Sequence, residues 1–170
     1  SVAKNSLFSL SLSYMGYGGY YNPFTGEAQV NAKTPKALYA VTVAHEHAHQ
    51  LGIAAENEAN FIGVLASLKN QDAFIQYAGY SYALRYCLSE LGRRDKELYK
   101  EVHENIHPGV LAMYKSHYEF WKKYDTLIEN ISKEIWDKML KANKQKDGIS
   151  SYSYIVALLV NFDKTNPNFF

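Results

Sequence analysis

The spacing of apolar residues changes at Thr34, and this change limits the folds open to the chain. Before it, Leu7–Tyr14 and Glu27–Asn31 alternate apolar and polar side chains with a period of two, which is typical of half-buried strands. Turn-forming residues between them predict a small antiparallel sheet or hairpin. From Thr34 to Phe162 the apolar residues recur at helical spacing. We therefore expect a mainly α-helical protein with a small N-terminal β element, of the α+β class.

A length of 170 residues predicts a single domain. We divide it into a β-rich segment on the substrate side, residues 1–33, and a helical part, residues 34–170. Thr34 is expected to cap the first long helix with Pro35 at its first position, and Gly52 to end that helix in a left-handed conformation. Further helices are predicted at about 56–69, 72–91, 95–105, 108–124, 127–143 and 151–162.

The composition argues against several classes of protein. Eighteen Lys and Arg balance seventeen Asp and Glu, so no global positive field favours nucleic acid. The longest apolar stretches are far shorter than the roughly 18 residues of a membrane-spanning helix. Cys87 is the only cysteine, which leaves neither an intramolecular disulfide nor a cysteine metal site.

Residues 45–49 form a His-Glu-x-x-His motif within a predicted helix. Two histidines four residues apart lie on the same face of a helix, where both can bind one metal ion. Glu46 lies beside the ion, where it can accept a proton from bound water. The motif predicts that His45 and His49 bind one Zn²⁺ and that Glu46 is the catalytic base.

A catalytic zinc site needs a third protein ligand, and two acids follow the motif closely. Glu56 shares one face of the second helix with Asn60 and Gly63, whereas Glu58 points about 200° away from Glu56. The short link Gly52–Ala55 is long enough to bring Glu56 back to the metal. Glu56 is therefore the predicted third ligand and Glu58 its rival.

The remaining histidines are expected to have structural roles. His47 faces away from the predicted ligands and is interpreted as a packing group or a neighbour of the site. Tyr21 and Tyr152 are the tyrosines proposed to donate a hydrogen bond to an oxyanion. Three histidines lie in the helical half without mutual spacing, namely His103, His107 and His117.

Six segments of the chain together carry a resemblance to a known family. They are residues 24–31 (FTGEAQVN), 45–50 (HEHAHQ), 56–63 (ENEANFIG), 83–86 (ALRY), 106–110 (IHPGV) and 147–152 (DGISSY). With these segments, nearly the whole chain resembles the bacterial family called domain of unknown function 3810. The resemblance implies a zincin-like fold and the soluble, extracytoplasmic part of a membrane-anchored protein.

The same resemblance bears on the site residues. Glu56-x-x-x-Asn60 is similar to the Glu-x-x-x-Asp element of membrane-associated zinc endopeptidases, in which the first acid is the third ligand. Asn60 departs from that pattern, and so do Ser153 and Tyr154, which stand where the family has Gly-Arg. By analogy with zincins, an edge strand upstream of the active helix would bind extended substrate, and the residues expected there are Glu27, Ala28, Gln29, Val30 and Asn31.

We therefore expect a zinc metallopeptidase that hydrolyses a peptide or protein substrate. Zn²⁺, one per chain, would activate water, and Glu46 would accept its proton. The alternative is a membrane-tethered binding or sensory module with a structural, non-hydrolytic zinc site. A third hypothesis is a zinc hydrolase that acts on a non-peptide amide.

Overall fold

The computed structural model describes residues 2–142 and 154–170. They are mainly helical with one small sheet, as the change of spacing at Thr34 predicts. The elements, in chain order, are β1 (Lys4–Asn5), α1 (Ser9–Met15), β2 (Gly19–Asn22), β3 (Glu27–Val30), α2 (Lys36–Gln50), α3 (Glu56–Leu68), α4 (Ala73–Arg94), α5 (Lys96–Glu104), α6 (Pro108–Lys122), α7 (Leu127–Ala142) and α8 (Ile155–Thr165).

The three described strands form a mixed sheet in the order β1-β3-β2. β2 and β3 are antiparallel, with Gly19 opposite Val30 and Tyr21 opposite Ala28, which confirms a small antiparallel pair that includes Glu27–Val30. The strand that pairs with it is Gly19–Asn22, in the region predicted to form the turn, and not Leu7–Tyr14. β1 adds a short parallel strand on the other side of β3. β3 is therefore the central strand, and the prediction that Glu27–Asn31 forms a substrate-binding edge is wrong.

The prediction of a strand at Leu7–Tyr14 is also wrong, because this segment contains helix α1. The side chains it buries are those of Ser9, Leu12 and Ser13, at helical spacing, while the side chain of Leu7 is 97% exposed. The serine hydroxyls are paired inside: Ser9 donates to the carbonyl of Ser6 and Ser13 to that of Ser9. Small polar groups can be buried when they are hydrogen-bonded, so the alternation of apolar and polar residues in this segment does not indicate a strand.

Helix α2 begins one residue later than predicted. Pro35 is its N-cap residue, and Thr34 does not cap the helix because its hydroxyl donates to the carbonyl of Asn31 at 2.8 Å. At the other end Gly52 has φ +97°, which confirms the expected left-handed turn. Gly92 does not break α4, which continues to Arg94.

Helix α2 lies between the sheet and the helical part of the molecule. Ala28 and Val30 are buried on the face of the sheet that packs against α2. On its other sides α2 packs against α3 and α4, where Val41 and Ala78 belong to one buried cluster. α2 therefore has neighbours on most of its surface, and its central residues are held at fixed positions.

Residues 2–142 and 154–170 contain no helix that is both long and apolar enough to span a bilayer. α4 has 22 residues, but it includes Arg85, Glu90 and two further arginines.

Candidate metal centre

The two motif histidines lie on one face of α2 with their Nε2 atoms together. The Nε2 atoms of His45 and His49 are 3.0 Å apart, and the two rings are nearly perpendicular. Nδ1 of His49 lies 2.7 Å from the carbonyl oxygen of Ile53. Because a carbonyl only accepts hydrogen bonds, Nδ1 of His49 carries a proton, and in the neutral ring Nε2 therefore presents a lone pair.

Helix α3 brings Glu56 to the same point. Its Oε2 lies 3.3 Å from Nε2 of His45, and its Oε1 lies 3.6 Å from Nε2 of His49. Among the described residues, these three side chains are the group of His, Cys, Asp and Glu whose ligand atoms converge closely enough to bind one metal ion. Glu58 is exposed on another face of α3, so of the two acids it is Glu56 that lies with the histidines.

Two backbone features hold α2 and α3 in this arrangement. The left-handed turn at Gly52 reverses the chain and presents the Ile53 carbonyl to His49. Further along α3, a Cβ added to Gly63 would lie 3.2 Å from the backbone nitrogen of His45. Glycine at this position thus allows the backbones of α2 and α3 to approach closely at His45.

The site favours an ionised Glu56. Burial opposes ionisation of this carboxyl, but hydrogen bonds and charge from His45 and His49 outweigh it and lower the pKa of Glu56 to about 2. For His49, burial opposes protonation, and the hydrogen bond and charge of Glu56 outweigh it, so its pKa is raised. Two imidazoles and a carboxylate that meet in a buried place need a cation between them, either a proton or a metal ion.

The surroundings of Glu46, in contrast, favour its neutral form. Its side chain is buried on α2, and burial raises its pKa to about 7 against the attraction of His45 and His49. Its Oε2 is a buried atom without a hydrogen-bond partner in the described part of the chain. The carboxyl group lies against β2, since a Cβ added to Gly19 would be 2.7 Å from its Oε1.

Asn60 lies on α3 one turn after Glu56 and is fully buried. Its Oδ1 accepts a hydrogen bond of 2.7 Å from the Tyr82 hydroxyl on α4. Its Nδ2 and the Nδ1 of His45 are both buried without a partner among residues 2–142 and 154–170. The departure from Asp at this position is thus accompanied by a tyrosine that binds the amide.

Three of the five predicted substrate-binding residues are buried. Val30 and Ala28 are buried under α2, and Asn31 is buried while its amide donates to Ser13 and to the carbonyl of Tyr17. The outward-facing Glu27 accepts from Lys4 and Gln29. These contacts give the segment a structural role at the centre of the sheet.

Strand β2 provides the free edge instead. Gly18 accepts a hydrogen bond from the backbone N–H of Asn31, so Tyr20 and Asn22 face β3 with their backbone groups. Gly19 and Tyr21 then direct theirs to the outer edge, which pairs with no strand in the described part of the chain. By strand alternation, the side chain of Tyr21 lies on the same face of β2 as Gly19, toward α2. Tyr152, the other candidate, lies outside the described residues.

The remaining histidines lie away from the three converging side chains. Nε2 of His47 is buried without a described partner, and His107 caps α6 by accepting from the N–H of Gly109. His103 stacks on Tyr99, and His117 is half-buried on α6. The residues that sequence reasoning missed are Ile53, which acts through its carbonyl, and Gly19, whose lack of a side chain only the packing explains.

The chain was compared with known proteins. A family model described as a protein of unknown function (DUF3810) matches residues 1–160. Neither the comparison with curated proteins nor the comparison with solved structures gave a match.

Proposed function

The chain belongs to the DUF3810 family of proteins of unknown function, and from this starting point we propose that it is a zinc-dependent metallopeptidase. In this proposal His45, His49 and Glu56 bind the metal ion and Glu46 is the general base. The observation that supports it most strongly is the convergence of three ligand atoms beside a buried carboxyl group that is not itself a ligand. The arrangement also supports a zincin-like fold, with an active helix packed under a small sheet.

The distances within the site suit zinc. Ligand atoms 2.0–2.1 Å from a tetrahedral ion are about 3.3–3.4 Å from one another. Here the two Nε2 atoms are 3.0 Å apart, and they lie 3.3 and 3.6 Å from the two different oxygens of Glu56, so the separations are close to those of a bound ion. Two imidazoles and one carboxylate form a common donor set of catalytic zinc, with a fourth position left open.

The surroundings of each side chain suit its proposed role. The pKa of Glu56 near 2 keeps it ionised, and the Ile53 carbonyl holds His49 with the Nε2 lone pair toward the ion. Zinc in such a site supplies a Lewis acid that activates water and polarises a carbonyl group. Glu46, whose buried Oε2 has no described partner and whose pKa burial raises in the metal-free protein, would accept a proton from water and pass it to the leaving amine.

The substrate is proposed to be an extended peptide bound along the outer edge of β2. The backbone groups of Gly19 and Tyr21 face that edge, and Gly19 also touches Glu46. A peptide paired there by main-chain hydrogen bonds would pass beside the base. The Tyr21 hydroxyl is the proposed donor to the developing oxyanion.

In the full-length protein the domain is proposed to be anchored to a membrane and to lie on its extracytoplasmic side. This part of the proposal is supported by the family resemblance alone. It is checked by fractionation of cells and by protease access to the domain in intact spheroplasts. Digestion only after the membrane is broken would place the domain on the cytoplasmic side.

The experiment that tests the enzymatic proposal combines metal analysis with a cleavage assay. The purified domain is stripped with a chelator, reloaded with zinc and assayed with fluorescein-labelled casein and a quenched fluorescent peptide library. We expect one zinc ion per chain and cleavage that disappears on chelation and returns with zinc. Failure to bind zinc would contradict the metal site, and zinc binding without cleavage would favour a structural site.

A further inference from the structure

The structure assigns a positioning role to Gly19: its lack of a side chain lets the β2 backbone lie against the Glu46 carboxyl group, and this contact sets where the base stands. The inference rests on the proposed function for its catalytic consequence. The contact itself is a feature of the fold and can be tested without any substrate.

The space at Gly19 is closed on two sides. A Cβ at this position would lie 2.7 Å from Oε1 and 2.9 Å from Cγ of Glu46, and 2.8 Å from the carbonyl oxygen of Gln29 on β3. All three separations are below normal van der Waals distance. Since the Gln29 oxygen belongs to the backbone of the central strand, it is the flexible Glu46 side chain that would yield most.

The Glu46 side chain packs against the β2 backbone at Gly19. Its Oε2 has no hydrogen-bond partner in the described part of the chain, so no donor holds that oxygen in place. Packing can fix a carboxylate while it leaves the lone pairs free, and a general base needs that freedom.

Gly19 touches both the base and the substrate edge. Its backbone N–H and C=O face the free side of β2, while its α-carbon faces Glu46. A peptide paired with Gly19 is thereby placed at a fixed distance from the carboxyl group. A methyl group at position 19 would change that distance, because it would press on both the Glu46 side chain and the sheet backbone.

The kinetic test uses Gly19→Ala with Gly18→Ala as the matched control. A Cβ at Gly18 would meet the Thr42 hydroxyl at 3.2 Å, one turn of α2 away from Glu46. We expect Gly19→Ala to bind zinc normally and to lower kcat on a quenched peptide by about 100-fold, more than it raises KM. Gly18→Ala should keep kcat near the wild-type value. Equal kcat in the wild type and Gly19→Ala would overturn the proposal.

A double-mutant cycle tests the contact independently of activity. We expect Gly19→Ala to lower the melting temperature less when Glu46 is already alanine, by about 3 °C, because part of the clash has gone. The same loss in both backgrounds would show that Gly19 does not press on Glu46 and would contradict the proposal. An inactive wild-type protein with normal coupling in this cycle would instead reject the peptidase function alone.

Discussion

Glu46 and Glu56 lie beside the same two histidines, yet their carboxyl groups have opposite proton affinities. Burial raises the pKa of Glu46 to about 7, whereas hydrogen bonds from the histidines overcome burial and lower that of Glu56 to about 2. Only Glu56 has oxygens directed at both Nε2 atoms. In the proposed function, these different surroundings suit Glu56 to be the anionic ligand and Glu46 to be the proton acceptor.

The choice of third ligand is tested by a pair of substitutions on α3. We expect Glu56→Ala to weaken zinc affinity by orders of magnitude, because it removes the carboxylate that converges with both histidines among the residues the structure describes. Glu58→Ala, its matched control, removes an exposed acid from the first turn of the same helix and should leave zinc bound. It should lower stability by about 0.3–1 kcal/mol through the helix dipole. Competition with a fluorescent chelator measures both affinities, and the reverse order would reject Glu56.

The stability of the chelated protein should fall as the pH rises from about 4.5 to 7. In this window the folded protein keeps a proton on Glu46 that the unfolded chain releases, so the free energy of unfolding decreases as the pH rises. The loss attributable to Glu46 should reach up to about 3 kcal/mol. Below pH 4.5 the stability should instead fall as the pH falls. The pKa of Glu56 is lower in the folded protein than in the unfolded chain, so its ionised form stabilises the fold, and acidification removes this contribution.

Urea denaturation in EDTA between pH 4 and 8 measures this profile. Glu46→Gln cannot ionise and should remove the loss between pH 4.5 and 7 while it keeps the loss on the acid side. A wild-type profile that rises steadily from pH 4.5 to 7 and is unchanged by Glu46→Gln would show that Glu46 is not held in its neutral form.

The assignment of β2 as the substrate edge predicts different effects from neighbouring residues. Tyr21→Pro removes an N–H that faces the free edge, so it should raise KM for peptides and leave zinc affinity unchanged. Tyr20→Pro removes an N–H directed at β3 and should destabilise the hairpin itself. Steady-state kinetics and thermal melts separate the two results. Unchanged KM in a folded Tyr21→Pro variant would place the substrate elsewhere.

The Tyr21 hydroxyl is tested separately with Tyr21→Phe. If it donates to the oxyanion, its removal should lower kcat by about 10²–10³-fold with little change in KM, since the bond forms in the transition state. Tyr20→Phe, on the opposite face of β2, is the control and should keep kcat. Equal kcat in Tyr21→Phe and the wild type would remove Tyr21 from the mechanism.

The centre of the site could be predicted because its parts are close in sequence. His45 and His49 are one helical turn apart, and the Gly52 turn returns Glu56 over a short link, so local geometry alone brings them together. The exposure of Glu58 follows from the same helical periodicity. Within the part of the chain that the structure describes, helix positions from α3 onward also agree with the apolar spacing to within a few residues.

The sheet could not be predicted in the same way, because its order depends on contacts between distant residues. Nothing local indicates that Lys4 and Asn5 pair with β3, and that pairing makes β3 central and leaves β2 as the edge. The sequence pattern did not predict helix α1 because the buried hydroxyl of Ser13 is satisfied by a hydrogen bond from Asn31, eighteen residues later. A pattern of polar and apolar letters does not show which polar groups will satisfy each other.

The most direct test of the account is the rate of peptide cleavage by the zinc-loaded Glu46→Gln variant relative to the wild type and to Glu58→Gln. The account predicts that all three bind one zinc ion, that Glu58→Gln keeps the wild-type kcat/KM, and that Glu46→Gln loses about 10²–10⁴-fold. Equal cleavage rates for the zinc-loaded wild type and the zinc-loaded Glu46→Gln variant would contradict the role of Glu46 as the catalytic base. Loss of zinc together with activity in Glu46→Gln would show that this residue serves the metal site and not the proton transfer.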